Sequence, residues 1–220
     1  MSDATATAHT AWDEQWKSAD GREAWLRPAP DVHWRARAAI RAGAHRVLDL
    51  GCGVGRHALL FAELGLDVYA MDGSATGVSH LAEEARRAGH CIDVRIGMMT
   101  DLPYDDAAFD YVLAFNVIYH GDGTVVRRAI AEIARVLRPG AVYQGTMLAK
   151  RNVNYGHGRE VAPDTFVADD ADGDKAHPHF YCDAAGLVDL FADFELETLY
   201  LREHEKPGSW HWHLTAQKRG

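Results

Sequence analysis

The stretch "RVLDLGCGVGRHALLFAELGLDVYAMDGS", residues 46–74, decides the fold. Residues 45–50 form an apolar run that ends at glycines, which suits a buried strand. The spacing predicts a helix from Arg56 to Leu64, stopped by Gly65 where a left-handed residue commonly closes a helix. "LDVYAMD" then reads as a second strand ending on an acid. A strand, a glycine turn, a helix and a second strand together make a nucleotide-binding βαβ unit.

The same rhythm continues outward. Ser74 is placed to cap the next helix, whose Val78, Leu81, Ala82 and Ala85 fall on one face before Gly89 ends it. "CIDVRIG" (91–97) is a third strand and "FDYVLAFNVIY" (109–119) a fourth, buried on both faces. Val126, Ile130, Ile133 and Leu137 stripe the following helix, "RPG" (138–140) stops it, and "AVYQGTML" (141–148) is a fifth strand. Strands alternating with helices imply an α/β fold with a doubly wound, mainly parallel sheet.

After Ala149 the periodicity stops, and residues 150–181 are expected to be a loop acting as a lid. A short helix (183–191) and two strands (194–203 and 209–217) follow, joined by "EKPGS" as an antiparallel hairpin. The expected division is one domain: a covering segment (1–44), a binding core (45–148), a lid-like insertion (149–182) and a C-terminal helix with hairpin (183–220).

Composition narrows the class. The chain has 220 residues, 47% hydrophobic and 25% charged, as in a soluble globular protein. A net charge of −9 argues against sequence-independent nucleic-acid binding, which needs a basic surface. Cys52, Cys91 and Cys182 make no CxxC pair, which suits a reducing compartment. No secretory pattern or membrane-length apolar run is present, so a cytoplasmic location is expected.

The glycines separate two nucleotide classes. Gly51, Gly53 and Gly55 give G-x-G-x-G, and Arg56 stands where the dinucleotide fingerprint requires its last glycine. Asp49 also lies two residues before the first glycine. "VLDLGCGVGRH" resembles the cofactor loop of class I S-adenosylmethionine-dependent methyltransferases. "VYAMDGS", "RIGMMTDLPYDDAAFDYVLAFNVIYH" and "VLRPGA" resemble further blocks of that family in the same order, across residues 45–148.

The resemblance implies a Rossmann-like fold of seven strands, the last antiparallel, with S-adenosyl-L-methionine as cofactor. It implies that Asp49, Gly51, Cys52 and Gly53 line the methionine and ribose end, and that Asp72 holds the ribose hydroxyls. Met98 and Met99 would flank the adenine, and Asn116 would lie near the methyl group. Methionine at 98, where the family often has an acid, leaves adenine recognition to backbone groups. The small size is also similar to methyltransferases of the tellurite-resistance type.

Thirteen histidines supply acceptor-side candidates. His120 and Tyr119 follow the fourth strand at the sheet edge where ligands bind, and are read as the catalytic pair. Trp16, His57, Tyr155, His177 and His179 are read as substrate-binding, and Trp12 shares a helical face with Trp16. In "SWHWHLTA", His211 and His213 share one strand face, read as a polar outer face over a core lined by Trp210 and Trp212.

The two His-x-His pairs and acids such as Glu160, Glu203 and Glu205 are metal-ligand types. Nothing in the sequence brings the pairs together, so no metal is assigned. "DDADGDK" (169–175) lacks calcium-loop spacing, since Lys175 and Tyr181 stand where Gly and Glu are needed.

The expected activity is in-line transfer of the methyl group of S-adenosylmethionine to a small-molecule nucleophile. The attacking atom is left open among oxygen, nitrogen and sulfur or another chalcogen. Expected partners are that acceptor, with no nucleic acid and no membrane. The oligomeric state is open, a homodimer being one option. A protein or RNA methyltransferase and a non-catalytic cofactor-binding module remain alternatives.

Overall fold

The computed structural model describes residues 5–168 and 176–220. The "DDADGDK" run at 169–175 therefore lies outside the described residues. The core follows the βα alternation: β1 (Arg46–Leu50), α4 (Arg56–Glu63), β2 (Asp67–Asp72), α5 (Ala75–Ala88) and β3 (Ile92–Ile96). Then come β4 (Phe109–Ala114), α6 (Gly123–Val136) and β5 (Leu137–Ala149). The C-terminal part is α7 (Ala184–Leu190), β9 (Phe194–Glu203) and β10 (Trp210–Lys218).

These strands form one sheet in the order β3-β2-β1-β4-β5-β10-β9, in which β10 alone of the seven runs antiparallel to the rest. The seven expected strands and the antiparallel ending are present. All six residues of β4 are buried, because β1 and β5 cover its edges and helices cover both faces. On one face Val126, Ile130 and Ile133 of α6 pack with Tyr143 and Phe191. On the other, Phe61 of α4 and Leu81 of α5 pack with Val32 and Ala36 from α3 (Pro30–Arg41).

Helix ends behave as the sequence requires. Ser74 Oγ accepts from Gly77 N–H at 3.1 Å, capping α5. Gly89 closes that helix at φ +74°. The fourth strand is shorter than expected: it ends at Ala114, and residues 115–119 leave the sheet. Asn116 makes that departure at φ +61°, a backbone region asparagine tolerates better than most side chains.

Two regions differ from the sequence expectation. The N-terminal segment contains α1 (Ala8–Gln15) and α2 (Ala19–Glu23) ahead of α3. The expected lid is not a plain loop: it contains β6 (Arg159–Ala162), β7 (Thr165–Val167) and β8 (His179–Cys182). Tyr181 and Cys182 of β8 pair in parallel with Leu148 and Ala149, which fastens the end of the insertion to the main sheet. No helix among the described residues is long and apolar enough to cross a membrane.

Candidate active site

The turn after β1 carries Gly51 at φ +68° and Gly53 at φ +54°, conformations costly for any residue with a Cβ. Space restricts them too. A Cβ on Gly51 would come within 2.2 Å of Val117, and one on Gly53 within 2.8 Å of the Trp16 ring. Gly51 N–H donates to Met71 O at 2.7 Å, tying the turn to β2. Burial pushes the Cys52 thiol well above its ordinary range, so it packs as a neutral group.

Two acids flank this turn. Asp72 Oδ2 accepts from Gly53 N–H at 2.9 Å, and its Oδ1 accepts from Ser74 N–H at 2.8 Å. Burial raises its pKa despite those bonds. Asp49 is 2% exposed, and its Oδ2 has no hydrogen-bond partner among the described residues. Burial pushes its carboxyl up to about 7, against the pull of Arg56.

The N-terminal segment roofs the turn. Asp13 Oδ1 accepts from Ser74 Oγ at 2.7 Å and from Thr76 N–H at 2.8 Å, pinning α1 to the start of α5. The Thr76 bond and then the Ser74 bond hold the Asp13 carboxyl below its usual range. The ring of Trp12 lies 5.3 Å from Trp16 and 5.0 Å from Trp25. Roof and turn enclose a cavity of about 860 Å³ including its mouth, with Met98 and Met99 on one wall and Phe115, Asn116 and His120 on another. Asn116 is held by Thr146, whose hydroxyl accepts from Asn116 N–H at 2.8 Å and donates to Asn116 Oδ1 at 2.9 Å.

Residues 47–140 match the model of a methyltransferase domain family. A probable S-adenosylmethionine-dependent methyltransferase of Mycolicibacterium smegmatis is 32% identical over 142 residues, covering 64% of this chain and 51% of that protein. The chain thus spans about half the length of the curated relatives it matches. Among solved structures, the 1,6-didemethyltoxoflavin-N1-methyltransferase of Burkholderia thailandensis superposes with a TM-score of 0.72 at 22% identity, covering 100% of this chain and 92% of that one. TehB of Haemophilus influenzae superposes with a TM-score of 0.65 at 16% identity, covering 96% and 67%. The fold is that of the class I methyltransferases.

Of the residues singled out in the sequence, this methyltransferase fold brings Gly51, Cys52, Gly53, Asp72, Met98, Met99 and Asn116 to the cavity wall. Trp16, His57 and His120 line it as well. Asp49, Tyr119, His177 and His179 are buried but are not on the lining. His57 also serves the scaffold, since its Nε2 accepts from Ala29 N–H at 3.1 Å and fastens the N-terminal segment to α4. Burial pushes its pKa well down, which keeps that nitrogen an acceptor. Tyr155 does not reach the cavity lining, because its hydroxyl donates to Asp164 Oδ1 at 2.8 Å and its ring packs on Phe166 and Tyr181 within the insertion.

The expected outer face of β10 is corrected. His211 and His213 are 5% and 3% exposed, and the tryptophan face is only partly buried. The strand lies between β5 and β9, and α3 covers its histidine side, so that side is not solvent. His213 Nδ1 donates to Asp31 Oδ2 at 3.1 Å, and His204 Nε2 lies 2.8 Å from His213 Nε2. Burial opposes ionisation of Asp31, but the bond and charge of His213 together with Arg202 prevail and hold it at about 2. Burial first, then the His213 and Arg202 charges, lower His204 to about 4.

Neither the Asp13 latch nor the Asp31 network is visible in the sequence, since their partners are 61 and 182 residues away. The meeting of His120 with the His177-x-His179 pair is equally hidden there. His120 Nδ1 lies 2.8 Å from His177 Nε2, and the backbone of His120 bridges that of His179.

Proposed function

We propose that the cavity binds S-adenosylmethionine and that the protein transfers its methyl group to a small-molecule nucleophile. One observation carries the reading: the glycine turn, the Asp72 carboxylate and a tryptophan roof surround one cavity in a chain that matches a methyltransferase domain. The residues fit such a ligand. Asp49 is a buried acid with an unbonded oxygen, and a cationic group nearby would favour its ionised form. Each Asp72 oxygen accepts one backbone N–H and retains a lone pair for a ribose hydroxyl. Met98 and Met99 offer apolar contact to a flat ring. The buried Trp16 Nε1 has no partner among the described residues and is a donor available to a ligand.

When bound, S-adenosylmethionine supplies a methyl group already activated on a sulfonium. The chain then has to hold an acceptor in line and exclude water. Trp12, Trp16 and Trp25 exclude water from one side. Asn116, fixed by Thr146, sets the wall where β4 ends. A proton on the acceptor needs a partner, and His120 is the imidazole on that wall. The overall charge of −9 favours a small acceptor over nucleic acid. So does the Burkholderia enzyme, whose structure holds 1,6-didemethyltoxoflavin and S-adenosylhomocysteine.

The test is incubation with methyl-labelled S-adenosylmethionine and a panel of small acceptors carrying hydroxyl, amine and thiol groups. Label on a small acceptor is the expected result. Label only on protein or RNA, or cofactor binding with no transfer, overturns the reading.

A further inference from the structure

We infer that His120, His177 and His179 form a binding site for one divalent transition-metal ion of the zinc class, beside the acceptor end of the cavity. Each imidazole offers one ligand nitrogen, and the three atoms lie within 4.8 Å of one another. Zinc held at ~2.0–2.1 Å by tetrahedral ligands needs nitrogens ~3.3 Å apart, so the trio has to open one contact and close another by small ring rotations. Three histidines are also the ligand set of catalytic zinc sites, in which a further position goes to water or substrate.

The second nitrogens of two of the rings, His120 and His179, are what separates this trio from a chance cluster. A metal-bound histidine usually donates its other N–H to a carbonyl or carboxylate, which fixes the ring and the tautomer. His120 Nε2 lies 3.1 Å from Asn116 O, and His179 Nδ1 lies 2.8 Å from His177 O. Backbone carbonyls only accept, so these nitrogens carry the protons. The lone pairs of both rings are therefore on the ligand atoms, His120 Nδ1 and His179 Nε2. His177 Nε2 sits 2.8 Å from the first of these and therefore donates to it when no ion is bound, so metal uptake has to displace that proton.

The backbone holds the three rings in place. Gly121 N–H donates to Pro178 O at 2.9 Å, and Phe180 N–H donates to Tyr119 O at 2.9 Å. These bonds clamp residues 119–121 across the start of β8. The rings are 7%, 3% and 1% exposed, dry enough for imidazole–metal bonds to compete well with water. His120 alone of the three lines the cavity, so an ion here would face the acceptor rather than the glycine turn.

Metal binding stands on this geometry alone, and its use in catalysis rests on the methyltransferase reading. In that use His120 holds the ion in place of serving as the base, and an acceptor O–H or S–H bound to the ion gives its proton to solvent or a buffer base. The resulting oxygen or sulfur anion attacks the methyl carbon as the carbon–sulfonium bond breaks, leaving S-adenosylhomocysteine. The sequence alone assigns no metal, because nothing in the chain order joins residue 120 to residues 177 and 179.

The experiment uses the full chain, purified without a histidine tag, stripped with chelator and titrated with Co(II) and then Zn(II). Visible Co(II) absorption, displaced by zinc at about one ion per chain, is expected. His177→Gln and His179→Gln should each weaken binding at least about 100-fold, while His204→Gln, in the other histidine network, should not. Calorimetric binding of S-adenosylhomocysteine to each variant checks its folding. Absence of a Co(II) spectrum in the wild type, or one unchanged in both variants, overturns the proposal. S-adenosylhomocysteine binding without metal leaves the methyltransferase reading intact, and metal without S-adenosylhomocysteine binding leaves the metal site standing without it.

Discussion

The two ends of the cavity are built in opposite ways. The end near the glycine turn comes from neighbouring segments, Leu50 to Asp72, joined by one parallel strand pair. The other end gathers Trp12, Phe115 and His120 from distant parts of the chain and adds His177 and His179 from the insertion behind them. A site made of one βαβ unit tolerates little change, because each residue is held by backbone geometry. A site gathered from loops can change partners without disturbing the sheet. Under the proposed function, the fold thus keeps the cofactor's turn fixed and leaves the acceptor side free to vary.

Substitutions should divide along that line. Gly51→Ala combines a left-handed backbone with a clash on Val117, and should lose about 3 kcal/mol of stability by chemical denaturation. Gly65→Ala, also left-handed but open to solvent, should lose about 1 kcal/mol. Equal losses would show that the turn is not tightly packed. Asp72→Ala should weaken S-adenosylhomocysteine binding by about 1.5–3 kcal/mol in calorimetry, and unchanged affinity would remove the carboxylate from the site.

Asp49 gives the comparison a pH signature. Burial raises its folded pKa to about 7 from an ordinary 3.8. Its stabilising contribution is therefore full below about pH 4 and is lost as pH rises towards 7, on the order of 1 kcal/mol per pH unit. Asp49→Asn should flatten that slope in denaturation curves taken across the window. An unchanged slope would place the titration elsewhere. The smallest effect is expected at the roof. Asp13→Ala should cost less than about 1 kcal/mol globally yet speed hydrogen exchange in residues 8–25, since only the latch is lost.

What the sequence makes legible follows the same division. The strands β1, β2, β3 and β9 fall within a residue or two of the expected bounds, because apolar runs bounded by glycines mark buried strands unambiguously. The strands of the insertion escape such a reading, being three or four residues long with no stripe to display. On β10 the period of two is right and the outer side is wrong, since alternation separates two faces without saying what covers each. Most residues lining the glycine-turn end of the cavity can be named from motif position. The histidine trio cannot, because the 119–121 and 178–180 segments meet only once the chain is folded, through backbone bonds and ring contacts.

Half of the chain's six tryptophans line one cavity, and the latch that holds two of them over it grips the turn following Asp72. The protein therefore carries its own optical gauge. Anything that enters the cavity or loosens the latch changes the surroundings of those indoles together, so intrinsic fluorescence should follow occupancy in real time without a label.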